Sequence, residues 1–66
     1  MNVKLNGKKE VLKENINLEE ALNEKNILGD GTVVLINEKV VKKENRKNVT
    51  ICENDEIEIL NFVSGG

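Results

Sequence analysis

The sequence contains no histidine, no tryptophan and no tyrosine, and only one cysteine and one phenylalanine. Without histidine it lacks the side chain that most often moves protons near neutrality and most often ligates metals. A single cysteine, Cys52, forms no internal disulfide and builds no thiolate zinc site by itself. With Phe62 as the sole aromatic, a base-stacking surface is excluded. Twelve acidic against ten basic residues give a net charge of −2, which argues against a nucleic-acid partner. No apolar run approaches the roughly 18–20 residues of a membrane span. The opening Met1-Asn2-Val3-Lys4-Leu5 has no signal-peptide apolar region, so a cytoplasmic protein with no membrane partner is expected.

At 66 residues the chain is one domain, and most of its Val, Ile and Leu must be committed to a single core. Little remains to wall a deep substrate pocket. A carrier or binding module is expected, not an enzyme, and no cofactor bound by the chain itself.

What is present is a pattern of strands around one helix. Val3 and Leu5 alternate with Asn2, Lys4 and Asn6, the period of a half-buried strand. Asn6-Gly7 is the strongest short hairpin signal, and a return strand is expected through Glu10–Lys13. Asn17 and Glu20 have capping-box spacing, with Ile16 and Ala21 placed as a hydrophobic staple. Leu18, Ala21 and Leu22, joined by the stem of Lys25, form one face of a helix of about eight to ten residues ending near Asn26. Gly29-Asp30-Gly31 is its breaker. Strands follow at Thr32–Ile36 and Lys39–Val41, joined by an Asn37-Glu38 turn. Lys42–Lys47 reads as a surface loop or one helical turn, and Val49–Ile51 as a short extended piece. Glu53-Asn54-Asp55 turns the chain into a last strand, Glu56–Phe62, with Ile57 and Ile59 inward and Glu58 outward. The order β-β-α-β-β-β predicts an α+β, β-grasp sheet with first and last strands adjacent and parallel, and the helix across one face. Residues 1–62 form this domain, and 63–66 a flexible tail.

The tail is Val63-Ser64-Gly65-Gly66. Glycine has no Cβ, so such an end passes through a narrow channel and takes backbone angles denied to other residues. The α-carboxylate of Gly66 is then uncrowded, but it becomes an acyl donor only once a partner activates it. Gly29-Asp30-Gly31 lacks the further glycine and the Lys-Ser/Thr of a phosphate-binding loop, so it is a turn, not a nucleotide site.

Two segments, Val34-Leu35-Ile36-Asn37-Glu38-Lys39-Val40-Val41 and Asp55 through Gly66, together resemble the ThiS family of thiamin-biosynthesis sulfur carriers. The likeness lies in the combination of an I-N-x-x-x-V hairpin, an acidic turn before the last strand, and F-V-x-G-G at the end. Two departures are visible: Lys42 where the family often has proline, and Glu53-Asn54-Asp55 where it often has Asp-Gly-Asp. Asparagine also tolerates the positive φ of that glycine. The resemblance implies a ubiquitin-like β-grasp fold and no catalytic residues. It implies that a ThiF-type enzyme uses Mg-ATP to adenylate Gly66, and that a persulfide donor converts the adenylate to a thiocarboxylate. Thiazole synthase (ThiG-type) then receives the sulfur. Val63, Ser64, Gly65 and Gly66 would enter the partners' active sites, and the free chain would be a monomer. The molybdopterin synthase small subunit, other sulfur carriers and a non-carrier β-grasp interaction module are the alternatives.

Leu60 and Phe62 share the outward parity of Glu56 and Glu58, which reads as a docking patch, the alternative being a satellite core formed where sheet twist or a bulge turns them. Val34 and Ile36, or their opposite-parity neighbours, would continue the patch. Cys52, beside Ile51 and with no adjacent basic residue, reads as a small buried hydrophobe with no part in sulfur transfer. Lys42, Lys43, Arg46 and Lys47, interrupted by Glu44, read as a solvated loop.

Overall fold

The computed structural model describes residues 1–27 and 31–61. Asn6 and Gly7 both take positive φ (52° and 83°), so β1 (Asn2–Leu5) turns within two residues into β2 (Lys8–Val11). The tight turn explains a difference from the sequence expectation: the return strand begins at Lys8, directly opposite Leu5, and ends at Val11, two residues short of Lys13. Leu12 lies past the end of β2 but continues the pairing, its N–H donating to the Met1 carbonyl at 2.9 Å and its carbonyl accepting from the Met1 amino group at 2.7 Å, and it is buried.

The helix α1 spans Leu18–Glu24. Its capping box is formed as the spacing predicts: the Glu20 N–H donates to Asn17 Oδ1 at 2.8 Å, and the Asn17 N–H to Glu20 Oε1 at 3.0 Å. Ile16, Leu18, Ala21 and Leu22 are all buried. The helix is shorter than expected, because Asn26 (φ 57°) stops it. The N–H groups of Asn26 and Ile27 donate to the carbonyls of Asn23 and Leu22, a Schellman end with asparagine in the position usually held by glycine. Gly29 and Asp30, assigned the breaking role from sequence, lie outside the described residues.

β3 (Thr32–Ile36) and β4 (Lys39–Val41) form the second hairpin, turned by Asn37 and Glu38, both at positive φ. A 3₁₀ segment, Lys43–Asn48, follows. The short extended piece is present at Val49–Ile51, where backbone bonds run from Leu18 N–H to Val49 and from Ile51 N–H to Ile16. β5 (Glu56–Asn61) closes the sheet, whose order is β2-β1-β5-β3-β4. β1 and β5 are parallel neighbours, with Lys4 opposite Glu56 and Leu5 opposite Ile57. The β-grasp expectation is met. Val3, Val34, Ile57 and Ile51 close the core with the buried face of α1.

Two surface assignments change. Arg46 is not solvated but only 9% exposed, and its Nη2 donates to the Thr32 carbonyl at 2.8 Å, holding the 3₁₀ segment against the start of β3. Charge patterning alone suggested a loop; the long aliphatic stem lets the side chain cover apolar surface while the guanidinium finds a carbonyl. Cys52 is exposed, not buried. It sits at the start of the turn 52–55, where its N–H is taken by Asp55 Oδ2 at 2.8 Å, so Ile51 alone points inward.

The helix is tied to the edge hairpin by Lys25 Nζ, 2.6 Å from Glu10 Oε1. The hydrogen bond and charge of Lys25 hold the Glu10 carboxyl below the usual glutamate range. The ionised form is therefore favoured in the folded chain. Its contribution is complete above the ordinary glutamate pKa and is lost as pH falls through the lowered one. In urea unfolding, the stability difference between the native chain and Glu10→Gln is expected to shrink from neutrality to about pH 3; a difference independent of pH would contradict this role of the pair.

Candidate functional site

β5 lies at the centre of the sheet and carries the chain toward its C-terminal tail. Its placement is over-determined. The Lys4 N–H donates to the Asp55 carbonyl at 2.9 Å and the Asn6 N–H to Ile57 at 2.9 Å on one side. On the other side the strand runs antiparallel to β3 from Ile36↔Ile57 to Thr32↔Asn61. Two asparagine side chains extend these ladders. Asn6 Oδ1 accepts from the Ile59 N–H at 2.7 Å, and Asn37 Oδ1 accepts from the Glu56 N–H at 3.0 Å. Asn37 Nδ2 also donates to Asp55 Oδ1 at 3.0 Å, joining the β3–β4 turn to the turn that starts β5. In the sequence alone, Asn6 and Asn37 read as turn residues only. The asparagine identity, with a side chain able to both donate and accept, was the available signal.

Strand alternation sorts β5 into two faces. Ile57 is buried in the core and Ile59 packs against it, while Glu56, Glu58 and Leu60 point outward. Leu60 is 39% exposed and lies opposite Val33; Glu58 lies opposite Leu35, which in turn faces Val40, 63% exposed. Val33, Leu35, Val40 and Leu60 thus form an apolar strip on the face away from α1, bordered by Glu56 and Glu58. Lys4, opposite Glu56, and Lys9, opposite Lys4, lie on the β1 side of the same face.

The candidate docking residues separate accordingly. Leu60 is where the parity argument put it. Val34 is 0% exposed and is among the most deeply buried side chains, so it presents nothing to a partner. Ile36 is half-buried and packs against the core. Both belong to the inward parity of β3, and continuous apolar character left the facing of that strand unresolved in the sequence. Their opposite-parity neighbours Val33 and Leu35, together with Val40, occupy the outer face instead. Phe62, Val63, Ser64, Gly65 and Gly66 lie outside the described residues. Among the described residues, no helix is long and apolar enough to cross a membrane.

Comparison with known proteins places this geometry. Among curated proteins, none matches the chain. The crystal structure of the thiamine biosynthesis protein ThiS from Geobacter metallireducens is similar over 100% of both chains, with a TM-score of 0.86 and 29% identity. A solution structure of a thiamine biosynthesis protein from the same organism covers 100% of this chain and 88% of its own, with a TM-score of 0.81 and 29% identity. The ThiS family model matches residues 2–66, from the first strand through the terminal Gly-Gly. The chain belongs to the ThiS family.

Proposed function

We propose that the chain is a sulfur carrier of thiamine biosynthesis and that its reactive group is the Gly66 carboxylate. The observation that carries this reading is the family match running through Gly66. A carboxylate is a poor acyl donor because its oxygen is a poor leaving group. A ThiF-type partner, using Mg-ATP, transfers AMP to the Gly66 carboxylate and releases pyrophosphate. A persulfide sulfur then attacks the acyl carbon and displaces AMP; reductive cleavage of the resulting acyl disulfide, with the partner's thiol as reductant, leaves the thiocarboxylate. A ThiG-type thiazole synthase takes the sulfur. ATP and magnesium belong to the activating partner. The chain acts as co-substrate and not as catalyst, as a monomer in the cytoplasm, without nucleic-acid or membrane partners.

The division of labour has a physical basis. The sheet fixes β5, and Val63–Gly66, which follow it in sequence, are the residues that would enter the partners' active sites. Docking falls to the outer strip of Leu60, Val33, Leu35 and Val40, and Phe62 is assigned to it from its sequence parity with Leu60. An exposed apolar strip bordered by carboxylates suits a partner surface that is apolar at its centre and basic at its margin.

Exchange of labelled pyrophosphate into ATP by the ThiF-type enzyme should depend on the wild-type chain. It should vanish when one alanine is appended after Gly66, with unfolding unchanged; retained exchange would refute the terminal carboxylate as acceptor. Leu60→Asp should leave the fold intact and raise the half-saturating carrier concentration by at least about tenfold, whereas unaltered saturation would remove the strip from docking. Val34→Ala should instead cost about 2 kcal/mol in urea unfolding.

A further inference from the structure

The sheet has a step in its interior. β1 ends at Leu5, paired with Ile57, while β5 continues to Asn61. The carbonyls of Asp55 and Ile57 accept from β1 and Asn6, so the odd residues of β5 turn their backbone groups toward the β1 side. Glu56 turns the other way, its carbonyl accepting from Asn37 at 2.8 Å. By the alternation of an antiparallel ladder, Glu58 and Leu60 likewise bond β3. The Ile59 N–H is closed by the Asn6 side chain. Beyond it, the Ile59 carbonyl and the Asn61 N–H face the β1 side with no bonded backbone partner among the described residues. An open groove of about 330 Å³ adjoins this stretch, lined by Asn6, Gly7, Glu58, Ile59 and Leu60 among others.

Such an edge is a template for strand pairing, and proteins ordinarily blunt it with lysine, proline or a covering element. The outer edges of this sheet follow that rule: β2 carries Lys8 and Lys9, and β4 is three residues long with Lys39. The inner step at Ile59–Asn61 carries neither lysine nor proline. It is also continuous with the tail.

We propose that this step receives an extended backbone segment of the adenylating partner, pairing with β5 at Ile59 and Asn61 and extending the sheet alongside the tail. The proposal rests on the carrier reading. The segment's inward side chain would continue the apolar layer beside Ile59. Its outward side chain, next to Glu58 and with Glu56 one repeat away, would be lysine or arginine. Pairing would fix the direction of residues 62–66 before Gly66 reaches the nucleotide, converting part of the search for the reactive geometry into a templated one.

Asn61→Pro tests this, because it deletes the N–H on the open side while leaving the β3 ladder untouched; proline is accepted at such edge positions. Pairing predicts that Asn61→Pro raises the half-saturating carrier concentration in pyrophosphate exchange roughly five- to tenfold, the effect of one backbone hydrogen bond. Asn61→Ala, which retains the N–H, should behave as wild type. Equal values for proline and wild type, or equal losses for proline and alanine, would overturn the proposal. A second readout uses the unmutated chain, so it stands even if the proline variant fails to fold. Asn61 amide exchange should slow on addition of the ThiF-type enzyme, and unchanged exchange within the complex would equally overturn it. Failure of the carrier reading has a different signature: the wild-type chain would then support no pyrophosphate exchange at all.

Discussion

The parallel pairing of β1 with β5 is the constraint on which the rest of the molecule depends. It spans only two rungs, Lys4↔Glu56 and Leu5↔Ile57, yet it joins segments more than fifty positions apart. It makes the last strand central and not marginal, so β5 is held from both sides as far as the Ile59 N–H, beyond which β3 alone pairs with it. Each hairpin then finds its place at a flank, and α1 covers the inner face formed by Val3, Val34 and Ile57. Long-range parallel contacts carry a large loop-closure cost, and here burial of the inward residues of both strands offsets it.

Asparagine performs much of the local work that glycine performs in many small folds. Asn6, Asn15, Asn26, Asn37 and Asn54 all take positive φ. Asn26 stops the helix, Asn54 turns the chain into β5, and Asn6 and Asn37 add side-chain rungs to the sheet. A short polar side chain that tolerates the left-handed region and still bonds backbone gives turns that are specified twice, by conformation and by partner.

Most of the architecture was legible in the sequence because its signals are local. Alternation in Val3–Leu5 and Glu56–Leu60, the Asn6-Gly7 turn and the Asn17–Glu20 box each have one structural solution. What escaped depended on contacts between distant segments. Val34 and Val33 are chemically identical, and only the register against β5 decides that one is sealed and the other outward. Arg46 lies in a charged run, and its burial follows from the position of the Thr32 carbonyl. Cys52 follows buried Ile51, and a turn closed by Asp55 exposes it. The step at the end of β1 is equally invisible to pattern, since it is a difference between the lengths of two strands that meet only in the fold.

Under the proposed function, the sheet would serve positioning and the tail chemistry. In that reading the chain would contribute a fixed strand, an outer apolar strip with acidic borders, and the end of its own main chain, and partners would contribute nucleotide, metal and sulfur. Exposure of Cys52 supplies a competing destination for sulfur on the same molecule. Intact and fragment mass spectrometry separates the two. After incubation of the full chain with a ThiF-type enzyme, Mg-ATP and a persulfide donor, one oxygen should be exchanged for sulfur in the fragment that contains Gly65-Gly66. Sulfur added at Cys52 instead, or no exchange under conditions that load another carrier of the family, would contradict the account.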